Sequence, residues 1–384
     1  MSFAHVSHVH KNATYAAVKT FNWGVLGCGG ISNDFSLALR SVPNAVLKAC
    51  ATSNSSERAK KFAQQHGFEN SFGSYEELLA CKDINIIYIG GFNPSHRDLA
   101  IKSMEHGKHV LCEKPLGMNA KEVQDMILSS RKNKVFLMEA MWTRFFPAMV
   151  RCRQLIQAGE IGEVRRVDAE FGVQMPLTAS RCWSTQAGGG GLLDLGCYPL
   201  SFASMCFGGR RPANVAATGK RSKSGIDKWA CLALDYGQVG DEDNEAPSSH
   251  AIVSCSMTSA TAEEWIVTGT KGRIRVHGPA HTPGKITTTR WTLDPRTTAF
   301  DEVTAFDTEM KRLSEPPMST EYMYPGSAGL AFQVHQVQQA IAKGMKECPE
   351  MSLDESLLIS QVMDDARKQI GVVFAQDLDE TKEV

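Results

Sequence analysis

Features that would assign a chain to a special class are missing from these 384 residues. No stretch approaches the ~18 consecutive apolar residues of a membrane-spanning helix. The formal net charge of -1 gives no electrostatic reason to expect a nucleic acid or an anionic membrane as partner. We therefore expect neither interaction. The balance of 42% hydrophobic and 22% charged residues instead indicates an ordinary globular protein that acts on a small molecule.

The eleven cysteines lack the spacings of a metal site or a disulfide framework. They occur singly, mostly inside apolar segments, and no C-x-x-C pair is present. We interpret them as reduced thiols in the core of a protein from a reducing compartment. This interpretation predicts no metal site and a cytoplasmic location.

Residues 1–20 contain no acidic residue, and they lack the run of ~7–15 apolar residues that a secretory signal needs. We predict a disordered tail for this segment. An acid-poor start that contains Ser and Thr is also compatible with an organelle transit peptide. The rest of the chain is long enough for two domains of ~100–200 residues each.

Strand-like and helix-like segments alternate through residues 21–142. Short runs of β-branched residues, such as 84–89, are followed by amphipathic segments, such as Ala120–Asn133, at the spacing of βαβ units. This alternation predicts a doubly wound parallel sheet, which is the Rossmann type of α/β domain.

The pattern changes after Trp142. Residues 143–384 begin with a predicted helix and continue with β-like segments, which indicate an α+β domain with an open, mostly antiparallel sheet. Two amphipathic helices are predicted at the end of the chain, and one possible arrangement packs them back on the first domain. Residues 237–250 are polar and acidic and are interpreted as a surface loop, whereas residues 277–325 show no readable pattern.

A glycine loop connects the first predicted strand to the first predicted helix. Gly27 permits a tight turn, and Gly29 lets the backbone approach a pyrophosphate at the N-terminus of the helix. Ser32 occupies the third fingerprint position in place of glycine and is small enough for close helix packing. The loop therefore predicts that a dinucleotide contacts Gly27, Gly29, Gly30, Ile31 and Ser32.

The end of the second predicted strand discriminates between NAD and NADP. An NAD site has an acidic residue at this point to accept the ribose hydroxyls, but here the chain continues with Ser53 and Asn54. Arg58 lies one turn into the next helix, where its charge would bind a 2′-phosphate. These residues favour NADP, and the alternative is that Arg58 is only a solvated helix residue.

Glu113 and Lys114 directly follow a predicted strand, at the carboxyl edge of the sheet where ligands bind. The ammonium group of a lysine at this edge can hydrogen-bond an alcohol oxygen and stabilise negative charge as hydride leaves the carbon. Pro115 fixes the turn that directs the lysine. We expect Glu113 and Lys114 to contact the cofactor, and Lys114 to act in catalysis.

Five segments together resemble one family of oxidoreductases: GCGGIS at 27–32, FNPSH at 92–96, EKP at 113–115, MEAMWTRFFP at 138–147 and GGGGLLDLGCYPL at 188–200. The chain resembles the family that includes glucose–fructose oxidoreductase and inositol dehydrogenase, and within it the dihydrodiol and D-xylose dehydrogenase branch. The resemblance covers residues 21–376. It implies an NADP-dependent dehydrogenase that acts on a sugar or a trans-dihydrodiol, and a homodimer formed through the outer face of the second sheet.

The same resemblance implies that Lys114, Asp194 and Tyr198 form the reaction centre. Asp194 would orient the substrate hydroxyls and balance the charge of the lysine. Asp194 and Tyr198 are four residues apart in a predicted helix, so both side chains are expected on one face. The ammonium of Lys114 would favour the phenolate of Tyr198 and make it a general base. Taken alone, Tyr198 is equally consistent with a half-buried packing residue.

Four further residues are expected near the cleft. Asn93 and His96 match positions where members of the family contact the nicotinamide ribose, although a lone histidine is as often structural. Trp142 and Arg144 follow the last predicted strand of the first domain and are expected to bind substrate. The indole of Trp142 suits the apolar face of a sugar or an aromatic diol.

Two departures from the family pattern modify these expectations. The dihydrodiol branch usually has an arginine at the position of Asn54, so NADP is expected to bind more weakly here, or NAD to be partly accepted. The acidic insertion around 241–245 is expected to lengthen a surface hairpin. Two other functions remain as alternatives: a sugar reductase that runs the reverse reaction, and a non-catalytic NADP-binding regulator.

Overall fold

Two sheets organise the chain. The computed structural model describes residues 20–238, 248–293, 300–309 and 322–378. A six-stranded parallel sheet comes first and an eight-stranded mixed sheet follows. The predicted fold class, a Rossmann domain followed by an α+β domain with an open, mostly antiparallel sheet, is confirmed. The predicted tail and most of the acidic segment 237–250 lie outside the described residues.

The first sheet is parallel throughout. Its strands are β1 (Phe21–Leu26), β2 (Ala45–Ala51), β3 (Asn70–Phe72), β4 (Ile86–Ile89), β5 (His109–Cys112) and β6 (Leu137–Glu139). They lie in the order β3-β2-β1-β4-β5-β6, so the direction of winding reverses between β1 and β4. Leu26, the last residue of β1, pairs with Ala51 on one side and Ile89 on the other. The crevice at such a reversal is where open α/β sheets bind ligands.

Five helices cover the two faces of this sheet: α1 (Gly30–Leu39), α2 (Ser56–His66), α3 (Tyr75–Ala80), α4 (His96–Glu105) and α5 (Ala120–Asn133). Polar caps start several of them, as where Ser55 accepts the Arg58 backbone N–H at the start of α2. Aromatic packing fixes α1 on the sheet, because Phe35 stacks on Tyr88 with ring centroids 3.6 Å apart.

The second sheet follows helix α6 (Pro147–Gln157). Its strands are β7 (Val164–Gly172), β8 (Asn214–Arg221), β9 (Asp227–Gln238), β10 (Ser248–Ser256), β11 (Trp265–Gly269), β12 (Gly272–Val276), β13 (Lys285–Leu293) and β14 (Phe300–Glu309). Only β7 and β10 pair in parallel, and the other neighbours are antiparallel. Both β13 and β14 lie in the region 277–325, where the sequence shows no readable pattern.

One face of the second sheet packs on helix α7 (Cys197–Cys206). Residues that alternate along the strands are buried there, such as Val167 and Val253, and Phe202 of α7 packs against Trp265 with ring centroids 5.1 Å apart. The opposite face carries exposed residues, among them Ile252. Within the described ranges no helix combines the length and the apolar character needed to cross a membrane.

The C-terminal helices α8 (Leu330–Ala342), α9 (Leu353–Ile370) and α10 (Ala375–Leu378) contact both parts of the chain. On the first sheet's side, Asp364 of α9 accepts the backbone N–H of Ala120 at 2.8 Å, and the N–H of Leu137 donates to the carbonyl of Lys346 at 3.0 Å. Helix α9 also packs along β8 and against α7. These contacts hold the carboxyl edge of the first sheet beside α7.

Candidate active site

The glycine loop after β1 has the shape of a phosphate cradle. Gly27 has a φ of 94°, and a Cβ atom there would lie 3.1 Å from the carbonyl oxygen of Gly90, so only glycine fits. A Cβ on Gly29 would meet nothing within 4 Å, which leaves open space in front of the loop. Helix α1 begins at Gly30 without a side-chain cap, and the N–H groups of a first helical turn lack intrahelical partners. These features fit the pyrophosphate of a dinucleotide.

Ile31 and Ser32 fill the crossing between α1 and the end of β4. Ser32 is fully buried, and a Cβ atom on Gly90 would lie 2.2 Å from its Oγ and 3.5 Å from Cγ2 of Ile31. The predicted packing role of the third fingerprint position thus has a geometric basis, because the helix approaches the strand end closely at this point.

Arg58 reaches from α2 to the glycine loop. Its guanidinium donates to the carbonyl oxygen of Cys28 at 3.0 Å, while Ser53 and Asn54 are exposed at the turn between β2 and α2. Thr52 stabilises this turn, since its Oγ1 donates to the carbonyl of Ser55 at 2.7 Å and accepts the N–H of Ser55 at 3.0 Å. Residues 53–56 offer hydroxyl and amide groups at the edge of the cradle, and the first turn of α2 adds the guanidinium of Arg58 and the exposed carboxylate of Glu57.

Lys114 joins the two sheets at the carboxyl edge of the first. Its Nζ donates to the backbone carbonyl of Asp194 at 2.6 Å and to Oδ1 of the same residue at 3.0 Å, and it lies 5.1 Å from the centroid of the Tyr198 ring. Burial opposes both charges, but the ion pair outweighs it. The pKa of Lys114 is therefore raised well above its usual value, and the pKa of Asp194 is lowered to about 2.

The spacing of Asp194 and Tyr198 predicted that both lie on one face of a single helix, but the two residues do not belong to one regular α-helix. Asp194 lies in a π-turn, Leu192–Gly196, whereas Tyr198 lies in the first turn of α7. A π-turn is wider than an α-helical turn and is frequent at functional sites. Lys114 nevertheless contacts both residues, so the predicted cluster of three residues forms by a different local geometry.

Two opposing effects act on the pKa of Tyr198. Burial raises its pKa, and the nearby ammonium of Lys114 opposes this effect without cancelling it. Lys114 thus favours the phenolate, as predicted, but burial outweighs its effect and the net shift of the pKa is upward. The Oη atom accepts a hydrogen bond from Nε1 of Trp142 at 2.8 Å, which fixes the ring and favours the ionised form once it appears.

Aromatic rings form the wall beside Tyr198. The ring centroid of Tyr198 lies 5.5 Å from that of Phe171, at the end of β7, and 5.9 Å from that of His281. The rings of Phe171 and His281 stack at 4.6 Å with an interplanar angle of 15°. Trp142 meets this group as predicted, whereas Phe171 and His281 carry no sequence signal that would have selected them.

The predicted substrate contact of Arg144 is not supported by its position. The guanidinium is almost fully buried, donates to Oγ and the carbonyl of Ser201 at 2.7 Å each, and forms an ion pair with Glu355 at 2.5 Å. It also donates to the carbonyl of Glu350 at 3.2 Å. These bonds connect the turn after β6 to α7 and α9, so Arg144 holds the helices together and is separate from the cluster at Lys114.

Asn93 and His96 secure the loop after β4. Nδ2 of Asn93 donates to the carbonyl of Gly188 at 2.9 Å, which ties this loop to the glycine run before the π-turn. His96 is fully buried, and its ring nitrogens lie 2.8 Å from the Pro115 carbonyl and 3.2 Å from the Gly91 carbonyl. The histidine therefore stabilises the turn that carries Lys114, which agrees with the alternative that His96 has a structural role.

Glu113 lies beneath the cluster. Its Oε1 accepts a hydrogen bond from the hydroxyl group of Tyr88, with an oxygen–oxygen distance of 2.8 Å. Burial raises the pKa of Glu113 to about 7, although the neighbouring ammonium of Lys114 acts in the opposite direction. This carboxyl group supports the turn from below, so its contribution to a cofactor site is indirect.

The sequence analysis did not identify a second cation beside the cluster of Lys114, Asp194 and Tyr198. Arg181 donates to Oδ2 of Asp194 at 3.4 Å, on the side of the carboxylate opposite to Lys114, and its side chain is one-third exposed. Cys182 also contacts Oδ2, with a sulfur–oxygen distance of 3.7 Å. Asp194 is therefore held by groups from two elements, and no motif in the sequence marks the segment that contains Arg181.

A short segment from the far end of the chain, residues 322–326, crosses the glycine loop, and we call it the strap. Asp34, fully buried in α1, accepts the backbone N–H groups of Met323 at 2.8 Å and Tyr324 at 3.0 Å. A Cβ atom on Gly30 would lie 2.6 Å from Sδ of Met323 and 3.7 Å from Oη of Tyr324. The strap therefore covers the start of α1 beside the pyrophosphate cradle.

Both halves of this architecture match a known family. The model of the Gfo/Idh/MocA oxidoreductase family with an NAD-binding Rossmann fold matches residues 21–141, and the model of a C-terminal domain of the same family matches residues 149–275. Trans-1,2-dihydrobenzene-1,2-diol dehydrogenase of Xenopus tropicalis is 36% identical over 353 residues, which cover 92% of this chain and 98% of the relative. The Homo sapiens protein of that name is 34% identical over 357 residues, with the same coverage.

Solved structures agree on the fold. A levoglucosan dehydrogenase in complex with NADH and levoglucosan superposes with a TM-score of 0.72 at 20% identity, over 92% of this chain and 98% of the other. The 3-ketoreductase KijD10 from Actinomadura kijaniata, in complex with NADP and TDP-benzene, gives a TM-score of 0.72 at 21% identity and the same coverage. At this identity the likeness concerns the fold alone, but the family models and the relatives cover most of the chain. The chain belongs to the Gfo/Idh/MocA family of oxidoreductases and binds a nicotinamide dinucleotide through its Rossmann domain.

Proposed function

We propose that this protein is an NADP-dependent dehydrogenase that transfers hydride between a hydroxyl-bearing carbon of a sugar or trans-dihydrodiol and NADP+. One observation carries the proposal. Lys114 is fixed by Asp194 and lies beside Tyr198 at the carboxyl edge of the first sheet, where the glycine loop opens. The names of the relatives at 34–36% identity support a dihydrodiol as substrate class.

The three residues divide the chemistry between them. The nicotinamide ring, when bound, accepts or supplies the hydride. Lys114 hydrogen-bonds the reacting oxygen and stabilises the negative charge that develops on it. Tyr198 exchanges the proton with the same oxygen, and Trp142 holds its Oη in place by the 2.8 Å hydrogen bond. Asp194 directs Lys114 and offers its carboxylate to a neighbouring substrate hydroxyl.

The choice of NADP rests on the turn after β2. Arg58 is anchored beside the glycine loop by its 3.0 Å hydrogen bond to the Cys28 carbonyl, and Ser53 and Asn54 are exposed next to it. A guanidinium binds a phosphate well, and residues 53–56 carry no carboxylate that would repel one, the first being Glu57 in the first turn of α2. Gly27, Gly29, Gly30 and the residues that follow them would hold the pyrophosphate.

A reductase that runs the reverse reaction is the second candidate. Burial raises the pKa of Tyr198, so its hydroxyl keeps a proton that it can donate to the oxygen of a carbonyl substrate at neutral pH. The same residues serve both directions, and the substrate concentrations decide which one prevails. A non-catalytic regulator is the third candidate, and the intact cluster of Lys114, Asp194 and Tyr198 argues against it.

We also propose that residues 143–384 form the substrate-binding and dimerisation domain, and that the protein is a cytoplasmic homodimer. The outer face of the second sheet carries the exposed Ile252 among small and charged residues, which suits a contact between two copies. All eleven cysteines are free thiols, which is consistent with a reducing compartment. Light scattering of the purified protein tests the dimer, and fractionation of cells tests the location.

The decisive experiment follows the absorbance of the reduced nicotinamide. D-xylose, D-glucose and a trans-dihydrodiol are each offered with NADP+ and, in parallel, with NAD+. The corresponding carbonyl compounds are offered with NADPH for the reverse reaction. We expect turnover with at least one of the hydroxyl substrates and a lower KM for NADP+ than for NAD+.

Each negative outcome selects another candidate. Turnover of carbonyl compounds alone would favour the reductase. NADP(H) binding without any turnover would favour the regulator. Equal or better use of NAD+ would overturn the cofactor assignment while leaving the dehydrogenase intact.

A further inference from the structure

The aromatic wall beside Tyr198 contains one polar member, His281. Its ring stacks on Phe171 and meets the rings of Tyr198 and Trp142 edge-on at centroid distances of 5.9 and 6.0 Å. We propose that His281, oriented by Glu263, binds the hydroxyl group next to the reacting carbon and thereby selects substrates with two adjacent hydroxyls. The inference rests on the proposed function and adds a recognition element to it.

Glu263 holds His281 in a defined orientation. Its Oε1 accepts the backbone N–H of His281 at 2.9 Å and also contacts Nδ1 of the imidazole. The Glu263 side chain is 11% exposed, and its backbone φ of 53° is in the left-handed region that a glutamate rarely adopts. Such a conformation persists only where the surroundings fix it, and it is frequent at ligand sites.

The carboxylate determines what the other ring nitrogen does. A carboxylate accepts hydrogen bonds but does not donate them. If the imidazole is neutral, Nδ1 therefore carries the hydrogen and Nε2 has a free lone pair. Nε2 of His281 forms no hydrogen bond with any residue that the structure describes, and the side chain is 18% exposed. Nε2 is therefore available to a hydroxyl group, which it accepts from when the imidazole is neutral.

The neighbours of His281 indicate the kind of ligand. Trp142 and Phe171 flank the imidazole with buried apolar rings, and an aromatic environment suits the apolar part of a sugar or a dihydrodiol. A substrate ring on this wall, with one oxygen at Tyr198 and Lys114, brings the hydroxyl of the adjacent carbon toward His281. A compound without that hydroxyl would leave Nε2 unpaired in a desolvated site, which is the condition for strong discrimination.

His281 also has a structural contact that a test must separate from recognition. Its backbone carbonyl accepts a hydrogen bond from the hydroxyl group of Thr143 at 2.5 Å, so the loop that contains His281 is bound to the turn after β6. A side-chain substitution leaves this backbone bond in place. His281→Phe keeps an aromatic ring for stacking on Phe171 and removes the acceptor nitrogen. His281→Gln keeps a polar acceptor and removes the ring.

The test compares substrates that differ by one hydroxyl: D-glucose with 2-deoxy-D-glucose, and trans-cyclohexane-1,2-diol with cyclohexanol. For each pair, kcat/KM is measured, and binding to the enzyme saturated with NADPH is measured by calorimetry. His281→Phe should reduce the preference for the diol member about tenfold or more, because a hydrogen bond in a desolvated site is lost. His281→Gln should restore part of the preference.

Glu263 provides a second, independent pair of variants. Glu263→Gln retains an oxygen that accepts from Nδ1 and should keep most of the preference, whereas Glu263→Leu should lose it as His281→Phe does. His335→Phe on the exposed surface of α8 is the matched control and should change neither member of a pair.

Equal losses for both members of a pair, in rate and in binding, would overturn the proposal and make His281 a packing residue. The calorimetry separates the two levels of the argument. A diol that binds in preference to its analogue but is not turned over would remove the proposed activity and leave the recognition by His281 standing.

Discussion

Lys114 and Asp194 form a buried ion pair that is held at two points. The ammonium of Lys114 donates to the carbonyl oxygen of Asp194 at 2.6 Å and to its carboxylate at 3.0 Å, so neither side chain can rotate without losing a bond. The pair joins the carboxyl edge of the first sheet to the π-turn of the second domain. A charge fixed in this way stabilises a developing oxyanion without reorganising during the reaction.

Lys114→Met is expected to lower kcat/KM about 100-fold or more, because the group that stabilises the reacting oxygen is lost. The change also leaves the buried Asp194 carboxylate with Arg181, at 3.4 Å, as its remaining cation, so the loss of stability should stay below the roughly 3–5 kcal/mol of a fully unpaired buried charge. The double variant Lys114→Met, Asp194→Asn should regain much of that stability and none of the activity. Kinetics and thermal melts on all variants measure the two effects separately.

The matched control for this experiment is Lys102→Met, which replaces an exposed lysine of α4 that pairs with Glu76. It should leave kcat/KM unchanged. A Lys114→Met protein that is folded and as active as the wild type would rule out the proposed role of the lysine.

Tyr198 should give the two reaction directions different pH profiles. Burial raises its pKa, so the protonated form that a reduction needs dominates at neutral pH, and the phenolate that an oxidation needs grows with rising pH. The oxidation rate is therefore expected to increase with pH across the range in which the protein stays folded. The reduction rate should be level around neutrality. Tyr198→Phe should lower both by roughly 10²–10⁴-fold.

Trp142→Phe sharpens this prediction. It removes the donor that stabilises the phenolate, so the rise in oxidation rate should move to higher pH. A wild-type oxidation rate that is already independent of pH between about pH 6 and 8 would contradict the assigned role of Tyr198.

Local sequence patterns were sufficient for the first domain. Strand and helix periodicity, caps and glycine turns act over a few residues, so the alternation of elements and the glycine loop could be predicted from short segments. The position of Lys114 followed as well, because a residue directly after a parallel strand must lie at the carboxyl edge of the sheet.

Contacts between distant residues account for the parts that the sequence did not predict. Arg144 pairs with Glu355, which is 211 positions away, so nothing beside Arg144 indicated that its charge was already used. His281 and the strap come from the region 277–325, where no periodic pattern exists. The pKa of Tyr198 depends on burial as well as on the charge of Lys114, and the burial could not be predicted from the nearest charge.

Arg58 should determine the preference between the two cofactors. Arg58→Ala is expected to raise KM for NADP+ by about tenfold or more and to change KM for NAD+ little, because only NADP+ carries the 2′-phosphate. Asn54→Arg should have the opposite effect and strengthen NADP+ binding. Lys61→Ala, which removes an exposed cation further along α2, is the control for a change in net charge. An equal effect of Arg58→Ala on both nucleotides would assign the arginine to the glycine loop alone.

Asp227 should make stability depend on pH. This fully buried carboxylate of β9 accepts the N–H of Leu192 at 2.6 Å at the start of the π-turn, and burial raises its pKa from 3.8 to about 6. The native protein therefore holds a proton that the unfolded chain has released between about pH 4 and 6, so this residue's contribution to stability is lost as pH rises through that window. A shift of about two pKa units corresponds to roughly 3 kcal/mol.

Asp227→Asn cannot ionise but keeps an acceptor for Leu192. Its free energy of unfolding should decline less between about pH 4 and 6 than that of the wild type in urea titrations, and the decline that remains belongs to other buried carboxyl groups such as Glu113. Asp235→Asn, on the exposed face of the same strand, should retain the decline. Asp227→Leu removes the acceptor and should lower kcat, because the π-turn that positions Asp194 loses its anchor. Identical pH curves for Asp227→Asn and the wild type would refute the assignment.

Asp34 should control how tightly the cofactor is held. Its carboxylate accepts the N–H groups of Met323 and Tyr324 and so keeps the strap over Gly30 at the pyrophosphate cradle. Asp34→Asn has almost the same shape but replaces one acceptor by a donor that faces an N–H group. We expect the dissociation constant of NADPH to rise about tenfold, with a smaller change in kcat, because a charge-assisted hydrogen bond is lost far from the reacting atoms. Titration of the cofactor's fluorescence measures the change. Met323→Ala leaves the backbone hydrogen bonds of the strap intact, so it separates the effect of the strap's position from that of its side-chain contact. If Asp34→Asn binds NADPH with wild-type affinity at an unchanged melting temperature, the strap does not contribute to binding.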